Sequence, residues 1–168
     1  MGGGTGITPL MSVAQAAILS KDPGVNITLL YSNKTADDIL IKDSIDDLEK
    51  KSAGSFKAYH TLTRNKDAKW DGLQGRINKE MLQKIGMSGP ANDVFICLCG
   101  TPGFHKDTNV LLEEMGYEAG KHFDGPRPAA AKVVTVAAVS GETHKKFETE
   151  ILYLTGLLNT EKAKNDKF

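Results

Sequence analysis

The sequence has few cysteines, no net charge and no long apolar run, and each absence excludes a class of protein. Only two of its 168 residues are cysteines, Cys97 and Cys99. Their spacing in a strand is too extended to close a disulfide comfortably, and four scattered histidines give no zinc pattern. We therefore expect neither a disulfide framework nor a metal site.

The charge balance excludes most electrostatic partners. The chain carries 21 basic and 21 acidic residues, which gives no clustered positive charge for nucleic acid or an anionic membrane surface. No stretch approaches the roughly 20 apolar residues of a membrane span, and the N-terminus lacks the order of a signal peptide. We expect a cytoplasmic protein that binds no nucleic acid and has no membrane span.

Period-2 and short apolar runs alternate with helical patterns of period 3.6, which predicts an α/β fold with a mostly parallel sheet. Thr8 and Pro9 are typical of a helix N-cap followed by a first-turn proline, and Asp43 and Asn78 are further predicted caps. The predicted strands cover residues 25–31, 56–62, 94–99 and 132–139. The remaining predicted helices cover residues 8–20, 108–115 and a final segment from about Thr143.

The opening residues 2–9 form a glycine-rich turn before the first helix. Glycines without Cβ allow a phosphate to approach the backbone closely, and the N–H groups at a helix start point toward such an anion. The segment is neither the Rossmann fingerprint nor a P-loop. A plain tight turn is the alternative interpretation.

A second turn, residues 99–104, follows the most apolar predicted strand. Ligands of open α/β sheets lie at the carboxyl ends of the strands, so both turns would face one crevice. For Cys99, burial as a small apolar side chain is an equally open interpretation.

Five motifs in order resemble the NAD(P)H-binding domain of the cytochrome b5 reductase branch of the ferredoxin-NADP reductase family. The resemblance covers about residues 2–117. The motifs are Gly3-Gly4-Thr5-Gly6-Ile7-Thr8-Pro9, Leu29-Leu30-Tyr31-Ser32-Asn33-Lys34-Thr35, Tyr59-His60-Thr61-Leu62-Thr63-Arg64, Gly75-Arg76-Ile77-Asn78-Lys79-Glu80-Met81 and Cys99-Gly100-Thr101-Pro102.

The resemblance implies that hydride passes from NADH or NADPH to FAD, and that electrons then leave singly for a haem protein such as cytochrome b5. By position it assigns cofactor binding to Gly4, Thr5, Gly6, Thr8, Pro9, Asn33, Lys34, Gly100, Thr101 and Pro102. Cys99 would lie at the nicotinamide, where it orients the ring and does not act as a nucleophile. The protein's part in this chemistry is positioning.

Cofactor preference depends on the third motif. Relatives selective for NADH commonly have an acidic residue where this chain has Thr63. Here Thr63, Arg64 and Lys66 could accept a 2′-phosphate instead, which favours NADPH slightly over NADH. Solvated loop charges are the alternative.

The chain departs from the family in its flavin domain and first strand. The FAD-binding barrel is absent, so a flavin-binding domain or subunit is an expected partner, and the chain alone would be incomplete as an enzyme. We expect a three-layer α/β/α domain with strand order 3-2-1-4-5, its first strand missing or replaced. A noncatalytic nucleotide-sensing or interaction module is the alternative function.

The C-terminal region has two interpretations. We expect residues 1–126 to form the NAD(P)H-binding domain and residues 127–168 to extend it by a strand and a helix. The run 132–139 is interpreted as the family's edge strand after an insertion. It could instead fill the vacant central position between the second and fourth family strands.

Overall fold

The computed structural model describes residues 1–19, 24–91 and 94–123. The predicted helix stop at residues 22–23 lies outside the described residues. So do the run 132–139, the helix expected from Thr143 and the whole predicted extension, residues 127–168.

A four-stranded parallel sheet forms the centre of the fold, in the order β1-β2-β3-β4. The strands are β1 (Gly2–Gly3), β2 (Ile27–Asn33), β3 (Phe56–Leu62) and β4 (Leu73–Gln74). β2 and β3 pair along their whole length, with Ile27 opposite Phe56 and Asn33 opposite Leu62. The bounds of β3 match the prediction, β2 begins two residues later than predicted, and β4 was not predicted.

The expectation of a missing or replaced first strand needs correction, because β1 lies beside β2. Gly2 is opposite Tyr31 in β2 and also bridges Cys99 on its other side. The Gly3 N–H donates to the Cys99 carbonyl at 2.9 Å, and the Cys99 N–H donates to the Met1 carbonyl at 3.1 Å. Two glycines therefore occupy the position between β2 and the segment that ends at Cys99.

Residues 94–99 do not form the continuous strand that the sequence predicts. Isolated bridges join this segment to its neighbours at Ile96 and Cys99. A regular ladder needs a neighbour of matching length, and β1 contributes only Gly2–Gly3.

Two predicted helix caps are wrong. Helix α1 (Ile7–Leu19) follows directly from a 3₁₀ turn over Gly4–Gly6, so Thr8 lies inside its first turn and does not cap it. Helix α2 (Lys42–Lys51) has Ile41 at its N-cap, in the left-handed region at φ +49°, and Asp43 lies in its first turn. Asp43 there still favours the helix through the helix dipole.

The remaining helices have side-chain caps. In α3 (Lys79–Lys84), the Asn78 side chain accepts a hydrogen bond from the Met81 N–H, as predicted. Helix α4 (Pro102–Glu114) begins six residues earlier than predicted, because the Thr101 hydroxyl accepts from the Phe104 N–H and Pro102 occupies the first helical position.

Two apolar clusters cover opposite faces of the sheet. Leu29 and Tyr31 of β2 belong to the cluster with α1 and α2, whereas Leu30 belongs to the cluster with α3 and α4. This alternation is the pleat of a strand buried on both faces. The expected three-layer α/β/α arrangement with a parallel sheet is therefore confirmed, and its carboxyl edge carries both glycine-rich turns.

Candidate functional site

The two glycine-rich turns are in direct contact. A methyl group added to Gly6 would lie 2.2 Å from the Cys99 carbonyl oxygen and 2.8 Å from the Gly100 nitrogen. Both neighbours are backbone atoms, so no side-chain movement could make room. The structure thus brings together the two turns that the sequence assigned to one crevice.

The first turn depends on Gly4 for its shape. Gly4 has φ +54°, a left-handed conformation that favours glycine, and a Cβ placed there would meet no atom within 4 Å. Gly4 and Thr5 are exposed while Gly6 is buried. The exposed backbone of Gly4 and Thr5 leads directly into the N-terminus of α1, where Thr8 and Pro9 lie in the first turn.

The second turn joins the first through the Phe104 ring. A Cβ at Gly3 would lie 3.0 Å from this ring, and a Cβ at Gly100 would lie 2.7 Å from it. Phe104 is half-buried between the turns and also lines the adjacent cleft. It therefore packs against the glycine backbones and presents part of its surface to that cleft.

Cys99 lies half-buried where the two turns meet. Burial raises the pKa of its thiol, so the neutral form prevails near neutral pH. Cys97 is fully buried, and burial raises the pKa of its thiol strongly. A protonated Cys99 is consistent with an orienting side chain and is poorly suited to nucleophilic attack.

An open cleft of about 470 Å³ lies beside the two turns. Four of the predicted binding residues line it: Lys34, Thr63, Arg64 and Thr101. Gly4, Thr5, Gly6, Thr8, Pro9, Asn33, Cys99, Gly100 and Pro102 are not among its lining residues. The candidate site therefore has two adjoining parts, the contacting turns and the cleft.

The loops after β2 and β3 are fixed to each other at the cleft. The Arg64 N–H donates to the Lys34 carbonyl at 2.8 Å. The backbone N–H and the hydroxyl of Thr63 both donate to the Asn33 carbonyl, at 2.9 and 3.2 Å. These bonds hold the two loops together, and Lys34 and Arg64 both line the cleft.

Asn33 ends β2, directly before the cleft-lining Lys34. It is only 5% exposed, and its amide nitrogen and oxygen make no hydrogen bond of regular geometry among the described residues. The Tyr31 hydroxyl is a polar neighbour of this amide. The sequence predicted a binding role for Asn33, and a buried amide whose hydrogen bonds are incomplete is compatible with one.

Sequence reasoning missed an ion pair within the cleft. Arg76 and Asp107 both line it, and the Arg76 guanidinium contacts the Asp107 carboxylate at 3.0 Å. Both side chains are exposed, so the pair contributes little to stability. Gly75, at φ +95°, sets the backbone conformation before Arg76. The sequence signal for Arg76 was its place in the motif that begins at Gly75, whereas no signal indicated Asp107 as its partner.

The cleft and turns fit a dinucleotide. Three basic residues, Lys34, Arg64 and Arg76, line the cleft together with one acidic residue, Asp107, so the cleft carries a positive balance suited to phosphate. Within residues 1–19, 24–91 and 94–123, no cluster of His, Cys, Asp or Glu could hold a metal ion. In the same part of the chain, no helix is long and apolar enough to cross a membrane.

Known proteins are similar to this chain in sequence. Residues 1–109 match the family described as the oxidoreductase NAD-binding domain. NADH-cytochrome b5 reductase 1 of Arabidopsis thaliana is 35% identical over 123 residues, which are 73% of this chain and 43% of that protein. NADH-cytochrome b5 reductase 2 of Lodderomyces elongisporus is 38% identical over 107 residues, which are 63% of this chain and 35% of that protein.

A solved structure agrees in fold. The cytochrome b5 reductase domain of Ulva prolifera nitrate reductase superposes with a TM-score of 0.66 at 30% identity, over 73% of this chain and 45% of that one. The chain spans about two fifths of the length of the curated relatives described above. With its parallel sheet, contacting glycine turns and basic cleft, the chain belongs to the oxidoreductase NAD-binding domain family, as its cytochrome b5 reductase-like motifs indicated.

Proposed function

We propose that this chain is the pyridine-nucleotide-binding part of a flavin-dependent oxidoreductase that passes a hydride from NAD(P)H to FAD and electrons on to a haem protein such as cytochrome b5. The observation that carries the proposal is the contact between the two glycine turns beside a basic cleft. The named relatives are NADH-cytochrome b5 reductases, which supports this reaction class.

Each part of the site has a separate task. The open backbone at Gly4 and Thr5, followed by the N-terminus of α1, binds the pyrophosphate through N–H groups and the helix dipole. Cys99 and Gly100 border the nicotinamide, where the protonated thiol excludes water without reacting. When bound, the reduced nicotinamide supplies the hydride, and a flavin on another domain or subunit accepts it.

The cleft favours NADPH over NADH. Lys34, Arg64 and Arg76 supply positive charge where the adenosine ribose would lie, and the Thr63 hydroxyl is a neutral neighbour there. The 2′-phosphate of NADPH adds negative charge, which these cations bind. An acidic residue at position 63 would repel that phosphate, but this chain has Thr63 there. Asp107 opposes this preference by neutralising Arg76.

The test is calorimetric titration of the full chain with NADP⁺ and NAD⁺ at fixed salt. We expect saturable binding of both, with NADP⁺ the tighter. Arg64→Gln should weaken NADP⁺ about tenfold, as loss of one charged hydrogen bond does, and change NAD⁺ little. Lys50→Gln, which removes an exposed lysine at the end of α2, is the matched control and should change neither.

Asp107→Asn tests the opposite direction. Freeing Arg76 from its carboxylate partner should tighten NADP⁺ binding more than NAD⁺ binding. Equal affinities for the two nucleotides in every variant would refute the NADPH preference. Absence of binding in the folded wild-type chain would refute the nucleotide site itself.

Turnover is tested by supplying a flavin domain. Mixed with the FAD-binding domain of a cytochrome b5 reductase, the chain should support NADPH oxidation with cytochrome b5 as acceptor. Nucleotide binding without turnover in this assay would indicate a noncatalytic nucleotide-sensing module instead.

A further inference from the structure

Tyr31 connects the sheet to the glycine turn through its hydroxyl. The residue is fully buried in β2, and its hydroxyl donates to the Gly4 carbonyl at 2.9 Å. Burial raises the pKa of Tyr31, and hydrogen bonds with the Leu40 backbone and then with the Asn33 side chain partly offset that rise. One hydroxyl thus joins the turn to the segment between β2 and α2.

The ring of Tyr31 is already held without its hydroxyl. The ring belongs to the apolar cluster with α1 and α2, and the His60 ring lies 5.9 Å away, centroid to centroid. A phenylalanine would fill the same space and keep these contacts. Packing in the apolar core therefore accounts for the ring of Tyr31 and does not account for its hydroxyl group.

The hydrogen bond fixes the direction of one peptide group. In a planar trans peptide, the carbonyl of one residue and the N–H of the next point in opposite directions. Because the Gly4 carbonyl points inward to the buried Tyr31 hydroxyl, the Thr5 N–H points away from the core. The same carbonyl also accepts from the Ile7 N–H within the 3₁₀ turn, so the Tyr31 hydroxyl is the donor that ties this turn to the core.

We propose that Tyr31 is a positioning residue, whose hydroxyl holds the Gly4–Thr5 peptide so that the Thr5 N–H faces the pyrophosphate of the bound dinucleotide. This inference rests on the proposed function, since it assigns the turn to pyrophosphate. Without the hydroxyl, the Gly4–Thr5 peptide keeps only its bond within the 3₁₀ turn and is held less firmly, so more order must be regained on binding and the affinity falls.

A matched control exists in the same chain. Tyr117 is also buried, and its hydroxyl donates to the carbonyl of another glycine, Gly89, at 2.8 Å. Tyr117 and Gly89 line a separate cavity of about 260 Å³ that shares no residue with the basic cleft. Tyr31→Phe and Tyr117→Phe therefore remove the same type of bond at two places, only one of which adjoins the turn.

The experiment titrates both variants and the wild-type full chain with NADP⁺ and with adenosine 2′-monophosphate, which has no pyrophosphate. We expect Tyr31→Phe to weaken NADP⁺ about fivefold, the effect of one neutral hydrogen bond, and to leave the monophosphate unchanged. Tyr117→Phe should leave both affinities unchanged. Equal weakening of both ligands by Tyr31→Phe would indicate a purely structural role and overturn the proposal.

A second measurement needs no ligand. Amide hydrogen exchange in the turn around Gly4 and Thr5 should accelerate in Tyr31→Phe and remain at the wild-type rate in Tyr117→Phe. Wild-type exchange in the turn of Tyr31→Phe would overturn the positioning role. If the wild type and Tyr31→Phe bind NADP⁺ with equal affinity, the positioning role of Tyr31 is overturned and the proposed function stands. If the wild type binds no nucleotide, both the positioning role and the proposed function are overturned.

Discussion

Gly6→Ala should be strongly destabilising, although it adds only one methyl group. The added Cβ would lie 2.2 Å from the carbonyl oxygen and 2.5 Å from the carbonyl carbon of Cys99. Both are backbone atoms of a segment that is hydrogen-bonded to Gly3, so relief requires the two turns to separate. Overpacking of this kind lowers the free energy of unfolding by about 1–3 kcal/mol. Because the neighbours of Gly6 are rigid backbone atoms, we expect a loss of about 3 kcal/mol for Gly6→Ala.

The assays are urea unfolding, which gives the free energy, and thermal unfolding, which gives Tm, both followed by the fluorescence of Trp70, the single tryptophan. For a chain of this size, a loss of about 3 kcal/mol lowers Tm by about 6–12 °C. The variant should also bind NADP⁺ poorly, because its turns no longer meet.

Alanine substitutions at two other glycines serve as controls, because they change the backbone preference without the steric clash expected at Gly6. Gly103→Ala, in α4, meets no atom within 4 Å and should stabilise the chain by about 0.5 kcal/mol through helix propensity. Gly4→Ala also has free space but must adopt φ +54°, which costs about 1 kcal/mol. Ordinary surface substitutions change the free energy of unfolding by up to about 0.5 kcal/mol. If Gly6→Ala changes it by no more than that, the inference that the two turns are in direct contact is refuted.

Asn78→Ala should cost about 1 kcal/mol in urea unfolding because the Met81 N–H loses its cap; an unchanged midpoint would contradict the observed hydrogen bond. Burial, and then the Lys42 charge, lower the pKa of His60 in the folded chain below its unfolded value of about 6.5. Between these two pKa values, the unfolded chain binds more protons at His60 than the folded chain does. The free energy of unfolding should therefore fall as pH drops below about 6.5, and His60→Gln should show a shallower fall; identical slopes would argue against a buried neutral imidazole. Alkylation of Cys99 by iodoacetamide should stay slow at neutral pH and accelerate only above the usual thiol range of about 8.5, whereas a reactive thiol at pH 7 would contradict the pKa rise from burial.

Local patterns in the sequence were sufficient for part of the fold. The short run from Phe56 to Leu62 predicted the bounds of β3, and Asn78 marked the start of α3, because both signals act within a few residues. The caps at Thr8 and Asp43 were predicted wrongly. In each case a neighbouring backbone conformation, the 3₁₀ turn at Gly4–Gly6 or the left-handed Ile41, moved the helix start.

The sequence alone determined the α/β class and the two glycine turns, because alternating strand and helix patterns and glycine-rich segments are local signals. That both turns would lie at the carboxyl edge of the sheet followed from the parallel arrangement that this alternation predicts. Only the tertiary structure decided that Gly6 touches the Cys99 backbone, that Tyr31 holds Gly4, and that Arg76 pairs with Asp107 within the cleft. These contacts join residues 27 to 93 positions apart. They depend on the distances between packed elements, which no local pattern in the sequence contains.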